Sequence, residues 1–179
     1  MNACDVLKFW FEEIDSSFWF KKDEHFDALI RDKFSVLHLA ATQGELFFWR
    51  KNIEGRLAEI IVLDQFSRNM FRDKANAFAY DAMALVLAQE AVATGLCNTL
   101  ASARRAFIYM PYMHSESLRI HDEAMKLFAE PGLENNMTFE IRHKEIIARF
   151  GRYPHRNAIL GRESTPEELV FLQMPGSSF

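Results

Sequence analysis

Residues 63–72, LDQFSRNMFR, place a stripe of polar side chains on a predicted helix: Asp64, Gln65, Arg68, Asn69 and Arg72. Side chains four residues apart are neighbours on a helix, so these five share a face. Solvated helix faces usually carry Lys and Glu, whereas these groups direct hydrogen bonds in fixed geometries. Asp64 and Arg68 are spaced for a charge-assisted pair, which is either structural or holds Arg68 for an anion. We expect the stripe to face an internal polar site, where Asp64 meets an arginine or histidine from residues 109–117 or 151–157 and Arg68 or Arg152 stays free for an anion. An ordinary solvated face remains the alternative.

A second group of polar residues lies in YMPYMHSES, residues 109–117, where Tyr109, His114 and Glu116 flank Pro111. A histidine beside a carboxylate can act as a general acid or base. A single histidine is more often a structural residue than a ligand, and the nearby Glu116 changes that balance only slightly.

The third group, residues 142–162, is strongly basic within an acidic protein. It contains five arginines, one lysine and two histidines but a single carboxylate, Glu145. GRYPHRN, residues 151–157, predicts a glycine stop, a tight proline turn and a new short helix. A helix start beside Arg152, His155 and Arg156 is suited to an anion. Alternatively, these arginines pair with carboxylates of the acidic first third of the chain.

Familiar catalytic motifs are absent from the sequence. It contains no glycine-rich phosphate loop, no GxSxG and no HExxH. A metal site built from His114, Glu116, His143 and His155 would have to assemble in space, because no spacing indicates it. We therefore predict neither a metal nor a cofactor. The candidate ligand-binding residues are Asp64, Gln65, Arg68, Asn69, Arg72, Tyr109, His114, Glu116, His143, Arg149, Arg152, His155, Arg156 and Asn157.

Composition excludes several classes of partner. A net charge of −4 gives no overall attraction to nucleic acid or anionic membrane. No stretch approaches the ~18 apolar residues of a membrane span, and the amino-terminal segment lacks the basic region of a signal peptide. Cys4 and Cys97 form no pattern, which is typical of a reducing compartment. We expect a soluble, cytoplasmic protein.

Helical periodicity dominates the chain, and no alternating strand pattern is convincing. The predicted helices cover residues 3–14, 23–44, 55–71, 76–95, 100–110, 115–130, 139–150 and 166–174. The segments 45–54 and 131–136 are predicted as connections. We expect Pro111 to bend or end its helix, because proline disfavours helical geometry in the residue before it.

Several helix boundaries carry recognisable cap residues. Asp23 is a predicted N-cap and Gly44 a predicted stop, while Asn76 and Gly95 are expected to bound the alanine-rich helix. The strongest start signal is residues 165–168, with a threonine cap, a proline at the first helical position and a glutamate completing a capping box. Paired helices with alanine-rich second members are typical of helix-pair solenoids.

Taken together, many segments resemble one bacterial family, catalogued as domain of unknown function 924. They include GRLAEIIVLDQFSRNMFR, YMPYMHSES, RHKEIIARFGRYPHRNAILGRESTPEELVFL and PGSSF, and the similarity covers nearly the whole chain. Ser67 stands where LDQFPRN is more usual, a change expected to relax the local helix without altering the polar stripe. The resemblance implies an all-α fold like the tetratricopeptide-repeat superhelix, and it implies no activity.

The predicted fold is a single all-α domain, residues 1–179, with eight or nine helices in a tetratricopeptide-repeat-like array of antiparallel pairs. The predicted function is a binding module with a polar, arginine-rich concave site for an anionic small molecule or peptide. The alternative is an enzyme that acts on a small anionic substrate through an Asp/Arg/His/Tyr pocket. Burial separates the two, because a groove leaves these side chains on an open wall and a pocket gathers them with shifted pKa values.

Overall fold

The computed structural model describes residues 1–178 and is all-α, with no strand among those residues. Phe179, the last residue of the PGSSF segment, lies outside the described part. The α-helices are α1 (Ala3–Lys8), α2 (Glu24–Thr42), α3 (Ile53–Ile61), α4 (Ser67–Met70), α5 (Asp81–Ala93), α6 (Ser102–Met113), α7 (Leu118–Phe128), α8 (Glu134–Phe150) and α9 (Pro166–Phe171). Within residues 1–178 no helix is both long and apolar enough to cross a membrane.

Shorter helical turns connect or extend these elements. Two π-helical turns, Phe9–Glu13 and Val62–Phe66, continue α1 and join α3 to α4. The 3₁₀ turns are Ser16–Phe18, Phe47–Lys51, Ala75–Ala77, Cys97–Thr99 and Pro154–Arg156. Consequently, the predicted helix 55–71 is one continuous rod that begins two residues earlier than expected and contains a π-turn at its centre.

Local cap chemistry ends several helices where the sequence predicted. The Asp23 side chain accepts hydrogen bonds from two backbone N–H groups of α2, and Gly44 takes the left-handed conformation that ends it. At α9, Thr165 and Glu168 form the expected capping box, with Pro166 at the first helical position.

Several predicted boundaries are wrong. Helix α7 begins at Leu118 rather than at residue 115, α9 ends at Phe171 rather than at residue 174, and three further boundaries have a clear physical reason. Asn76 is not a cap, because residues 75–77 form a separate 3₁₀ turn and α5 begins only at Asp81. Pro111 does not end its helix, since α6 continues to Met113 and packs against α3, α5, α7 and α8. Helix α8 begins at Glu134 rather than at residue 139, because Leu133 is buried at its start and accepts the first backbone hydrogen bond from Met137.

One extensive core holds most of the helices together, and a smaller cluster of Ile146, Ile147 and Tyr153 lies between α8 and α9. Helices α5, α6, α7 and α8 pack in chain order, each against the next, and α3 contacts α1, α5 and α6. The α5 face toward α3 and α6 carries the small, fully buried side chains of Ala84, Ala88 and Ala91. The segment from α3 to α4 is therefore enclosed by neighbours, which places its polar side chains inside the protein.

Candidate functional site

The polar stripe of residues 64–72 faces the protein interior. Asp64 is 1% exposed, and Gln65 and Asn69 are also buried. The π-turn Val62–Phe66 contains Asp64 and Gln65, and π-helical turns occur frequently at functional sites. The hypothesis that this stripe faces an internal polar site and not bulk water is confirmed by these positions.

Asp64 is the centre of a charged network. Its carboxylate contacts Nδ1 of His114 at 2.8 Å and Nη1 of Arg68 at 3.0 Å, both through Oδ1. The Gln65 amide donates to the other oxygen at 2.6 Å. Burial opposes ionisation, but the positive charge of Arg68 and the hydrogen bond from His114 outweigh it and hold the pKa of Asp64 well below its usual range. The expectation that Asp64 meets an arginine or histidine of segment 109–117 or 151–157 is confirmed, because His114 is its partner.

Arg68 and a second arginine converge on one carboxylate, that of Asp81. Arg68 donates to both Asp81 oxygens, at 2.9 and 3.0 Å, and Nη1 of Arg156 lies 3.2 Å from Oδ2. Burial and the positive charge of Arg68 both lower the pKa of Arg156. Asp81 is one-fifth exposed, so this contact lies near the surface.

Aromatic rings and a carbonyl hold Arg156 in place. Its guanidinium carbon lies 4.4 Å from the centre of the Phe78 ring and 4.7 Å from that of Tyr153. Nη2 donates to the backbone oxygen of His114 at 3.1 Å. The arginine thus keeps much of its position through contacts that do not involve Asp81.

The remaining part of the stripe is a structural clamp. Asn69 donates one hydrogen bond to Oδ1 of Asp27, at 2.8 Å. Arg72 donates to both oxygens of the same carboxylate, and its Nη2 lies 2.8 Å from Oδ1. Asp27 belongs to α2, so this clamp fixes α4 to α2. Asn69 and Arg72 therefore form a contact separate from the Asp64 network.

The arginines after residue 148 are paired with carboxylates, but not with those of the first third of the chain. Arg149 contacts Glu167, and Arg152 makes two 2.7 Å bonds to Glu168. Both arginines border an open cleft of about 370 Å³, which α9 also lines. The expectation that Arg68 or Arg152 stays free for an anion is wrong, because each has a carboxylate partner.

Glu116 and Asn157 organise the turn that carries Arg156. Glu116 accepts two bonds from Arg162, at 2.7 and 2.9 Å, and one from the backbone N–H of Tyr153. Asn157 is fully buried, donates to Glu168 and accepts from Arg162. These residues hold the turn against α6 and α9 and so fix the approach of Arg156.

The histidines surround Tyr153. The rings of His121, His143 and His155 all pack against its ring, and the Tyr153 hydroxyl donates to the carbonyl of Met113 at 2.6 Å. Burial lowers the pKa of His143 to about 3 and that of His155 to about 4, because it disfavours the charged ring. The His143 and His155 rings are therefore neutral near pH 7.

The four residues considered for a metal do not assemble into one site. His114 bonds Asp64, Glu116 bonds Arg162, and Nδ1 of His143 bonds the Phe139 carbonyl at 2.8 Å. Within residues 1–178, no three His, Cys, Asp or Glu side chains converge in a metal-binding arrangement. That hypothesis is therefore contradicted by the geometry.

Tyr109, a predicted site residue, lies outside the Asp64 network, whereas three residues at Arg156 were not predicted from the sequence. The Tyr109 hydroxyl donates to the Glu130 carboxylate and lies 3.1 Å from both of its oxygens. Tyr153 and Phe78 provide the aromatic surfaces at Arg156, and Asp81 provides the shared carboxylate. No spacing in the sequence connects Asp81 to Arg68 or Arg156, so only the folded chain reveals that contact.

Comparisons with known proteins agree with this fold. A family model described as "Bacterial protein of unknown function (DUF924)" matches residues 6–176. A solved structure, of a protein of unknown function from Agrobacterium tumefaciens, is 38% identical and covers 96% of each chain with a TM-score of 0.91. No curated protein matches the chain.

Proposed function

We propose that this chain, which belongs to the DUF924 family of bacterial proteins, binds a small oxyanion between Arg68 and Arg156. The observation that carries the proposal is the convergence of both guanidinium groups on the single carboxylate of Asp81. Two parallel N–H···O bonds from Arg68 suit any oxyanion with two accessible oxygens, a carboxylate or a phosphate group alike.

Asp81 acts as an internal occupant of this two-arginine site. It is the first residue of α5 and follows a stretch of turns, residues 71–80. Its side chain is about one-fifth exposed, whereas Arg156 is 8% exposed. A ligand that displaces Asp81 gains both arginines, and the released aspartate gains water.

The charge balance favours such an exchange. Arg68 and Arg156 contribute two positive charges, and Asp64 and Asp81 contribute two negative ones. When Asp81 leaves, one positive charge remains uncompensated in a largely buried place, which an anion neutralises. Arg156 stays oriented meanwhile, because its guanidinium group contacts the rings of Phe78 and Tyr153.

Burial favours a small ligand over an extended peptide. A peptide groove would leave the polar side chains on an open wall, but Asp64 and Arg156 are both under 10% exposed. We also propose that the helices form a tetratricopeptide-repeat-like array of pairs, and the packing of α5 to α8 in chain order supports this. A cytoplasmic location of the protein is part of the proposal, and the two free cysteines support it.

An enzyme that transfers a proton to or from the same anion is the second candidate. The pairing of His114 with Asp64 favours it, because a carboxylate fixes the tautomer and orientation of an imidazole. Tyr109 has no part in this version, since it contacts Glu130.

Removal of the internal occupant tests the proposal. In Asp81→Asn, acetate and sulfate no longer compete with the Asp81 carboxylate for the two arginines. The affinity of this variant for each anion, measured by calorimetry, should be at least about tenfold higher than that of the parent. Adding Arg156→Gln should abolish the gain. The matched control is Glu167→Gln, which frees only Arg149 at the surface. Equal affinities in the parent and Asp81→Asn would contradict the proposal.

A further inference from the structure

His114 carries a second ring nitrogen, Nε2, in addition to the Nδ1 that contacts Asp64. Its Nδ1 lies 2.8 Å from the Asp64 carboxylate, and Nη1 of Arg68 lies 3.0 Å from the same oxygen. An ionised carboxylate accepts the Nδ1 hydrogen, so Nε2 of the neutral ring carries the lone pair. Among residues 1–178 no side chain or backbone group bonds Nε2, and the ring is about 15% exposed.

The groups facing His114 come from every neighbouring element. Asp64 belongs to the π-turn, Arg68 to α4, Asp81 to α5, His143 to α8, and Arg156 to the turn after α8. Arg68 and Arg156 balance the two aspartates, and His114 is neutral within that balance. Burial and the charge of Arg68 lower its pKa, although Asp64 opposes them.

The charge of a ligand decides whether this balance survives. A monoanion in the place of Asp81 replaces one negative charge by one negative charge, and His114 stays neutral. A dianion brings one negative charge in excess. The imidazole of His114 is able to neutralise that excess, because its aspartate partner already orients it and stabilises the imidazolium.

We propose that the two-arginine site takes a tetrahedral dianion, such as the phosphate group of a phosphate monoester, and that His114 takes up one proton as it binds. The inference rests on the proposed anion site and narrows its ligand class. The proton comes from solvent and moves to Nε2 of His114, while no covalent bond of the ligand forms or breaks. The site thereby gains a third cationic group, which a monocarboxylate does not need.

Calorimetry in two buffers with different ionisation enthalpies measures this proton. Sulfate is the probe for the dianion, because it takes up no proton itself near pH 7.5, and acetate is the monoanion probe. With Asp81→Asn, we expect sulfate binding to take up about one proton and acetate binding to take up about none. The measurement leaves His114 in place, so it does not depend on how a His114 variant folds.

A variant of His114 provides the second measurement. In the Asp81→Asn background, His114→Gln should abolish the buffer dependence and lower sulfate affinity about tenfold more than acetate affinity. The control is His25→Gln, which removes an exposed histidine from the start of α2 and should change neither quantity. Sulfate binding without proton uptake would overturn the inference and leave the anion site standing. Failure of both anions to bind Asp81→Asn would overturn the anion site itself.

Discussion

Asp64→Ala is the most direct test of the charged network. The substitution removes a carboxylate that is 1% exposed and contacts His114, Arg68 and Gln65 at 2.8, 3.0 and 2.6 Å. Loss of one partner from a buried charge network leaves uncompensated charge and costs about 3 kcal/mol or more. For a protein of this length, that corresponds to a melting temperature about 6–12 °C lower.

Urea denaturation and thermal melting measure the effect. The control is Asp32→Ala, which removes an exposed aspartate from α2 and should stay within about 0.5 kcal/mol of the parent. A double-mutant cycle with Arg68→Ala should give a coupling energy of about 0.5–3 kcal/mol, because the two side chains share a contact. A denaturation midpoint for Asp64→Ala equal to that of the parent would refute the reasoning.

The pH dependence of the same difference checks its electrostatic origin. The folded-state pKa of Asp64 is lowered, so its contribution is present above the unfolded value of about 3.9. The contribution is lost as the pH falls through the folded value. The gap in stability between parent and Asp64→Ala should therefore persist from pH 8 to pH 5 and shrink only in stronger acid. A gap that closes near pH 6 would assign the effect to a histidine instead.

Two further predictions concern the core. Ala84→Leu and Ala88→Leu should each cost about 1–3 kcal/mol, because both alanines are fully buried against neighbouring helices. Exposed Ala82→Leu is the matched control in urea denaturation, and equal midpoints for all three would show that α5 packs loosely. Stability should also fall as the pH drops from about 6.5 toward 4, since the folded-state pKa of His143 is about 3 and that of His155 about 4. Each contributes up to about 1.4 kcal/mol per pH unit, and His143→Gln should flatten the acid limb of a pH series of urea melts.

The helix boundaries that the sequence predicted depend on local chemistry. Asp23, Gly44 and Thr165 act on residues within four positions of themselves, so their roles can be predicted from the sequence. The helix boundaries predicted at Asn76 and Pro111 are wrong because packing, and not local chemistry, decides them. Burial of Ala77 in a separate turn and packing of α6 by four other helices decide those regions, and neither is visible in a local pattern.

The candidate site likewise contains one contact that the sequence predicted and one that only the folded chain shows. Residue types alone indicated that Asp64 needs a basic partner, and His114 supplies one. The choice of Asp81 as the shared acceptor required three segments, 64–68, 78–81 and 153–156, to meet in space. The sequence contains those groups but no spacing that joins them. Arginine pairing in residues 149–162 was predicted as an alternative, although its carboxylates come from α5, α9 and the 114–117 segment and not from the first third of the chain.

Ser67 connects the π-turn to the departure from the usual LDQFPRN pattern. The π-turn ends at Ser67, and such turns take one N–H out of the regular α-helical ladder. Proline, which has no N–H, fits such a position better than the interior of a regular helix. In this chain Ser67 is fully buried, donates to the Leu63 carbonyl at 2.6 Å and lies 2.8 Å from Nε2 of His38. The serine therefore joins α4 to α2 by a side-chain bond, while Asp64 keeps its contact with His114 and Arg68 its contact with Asp81.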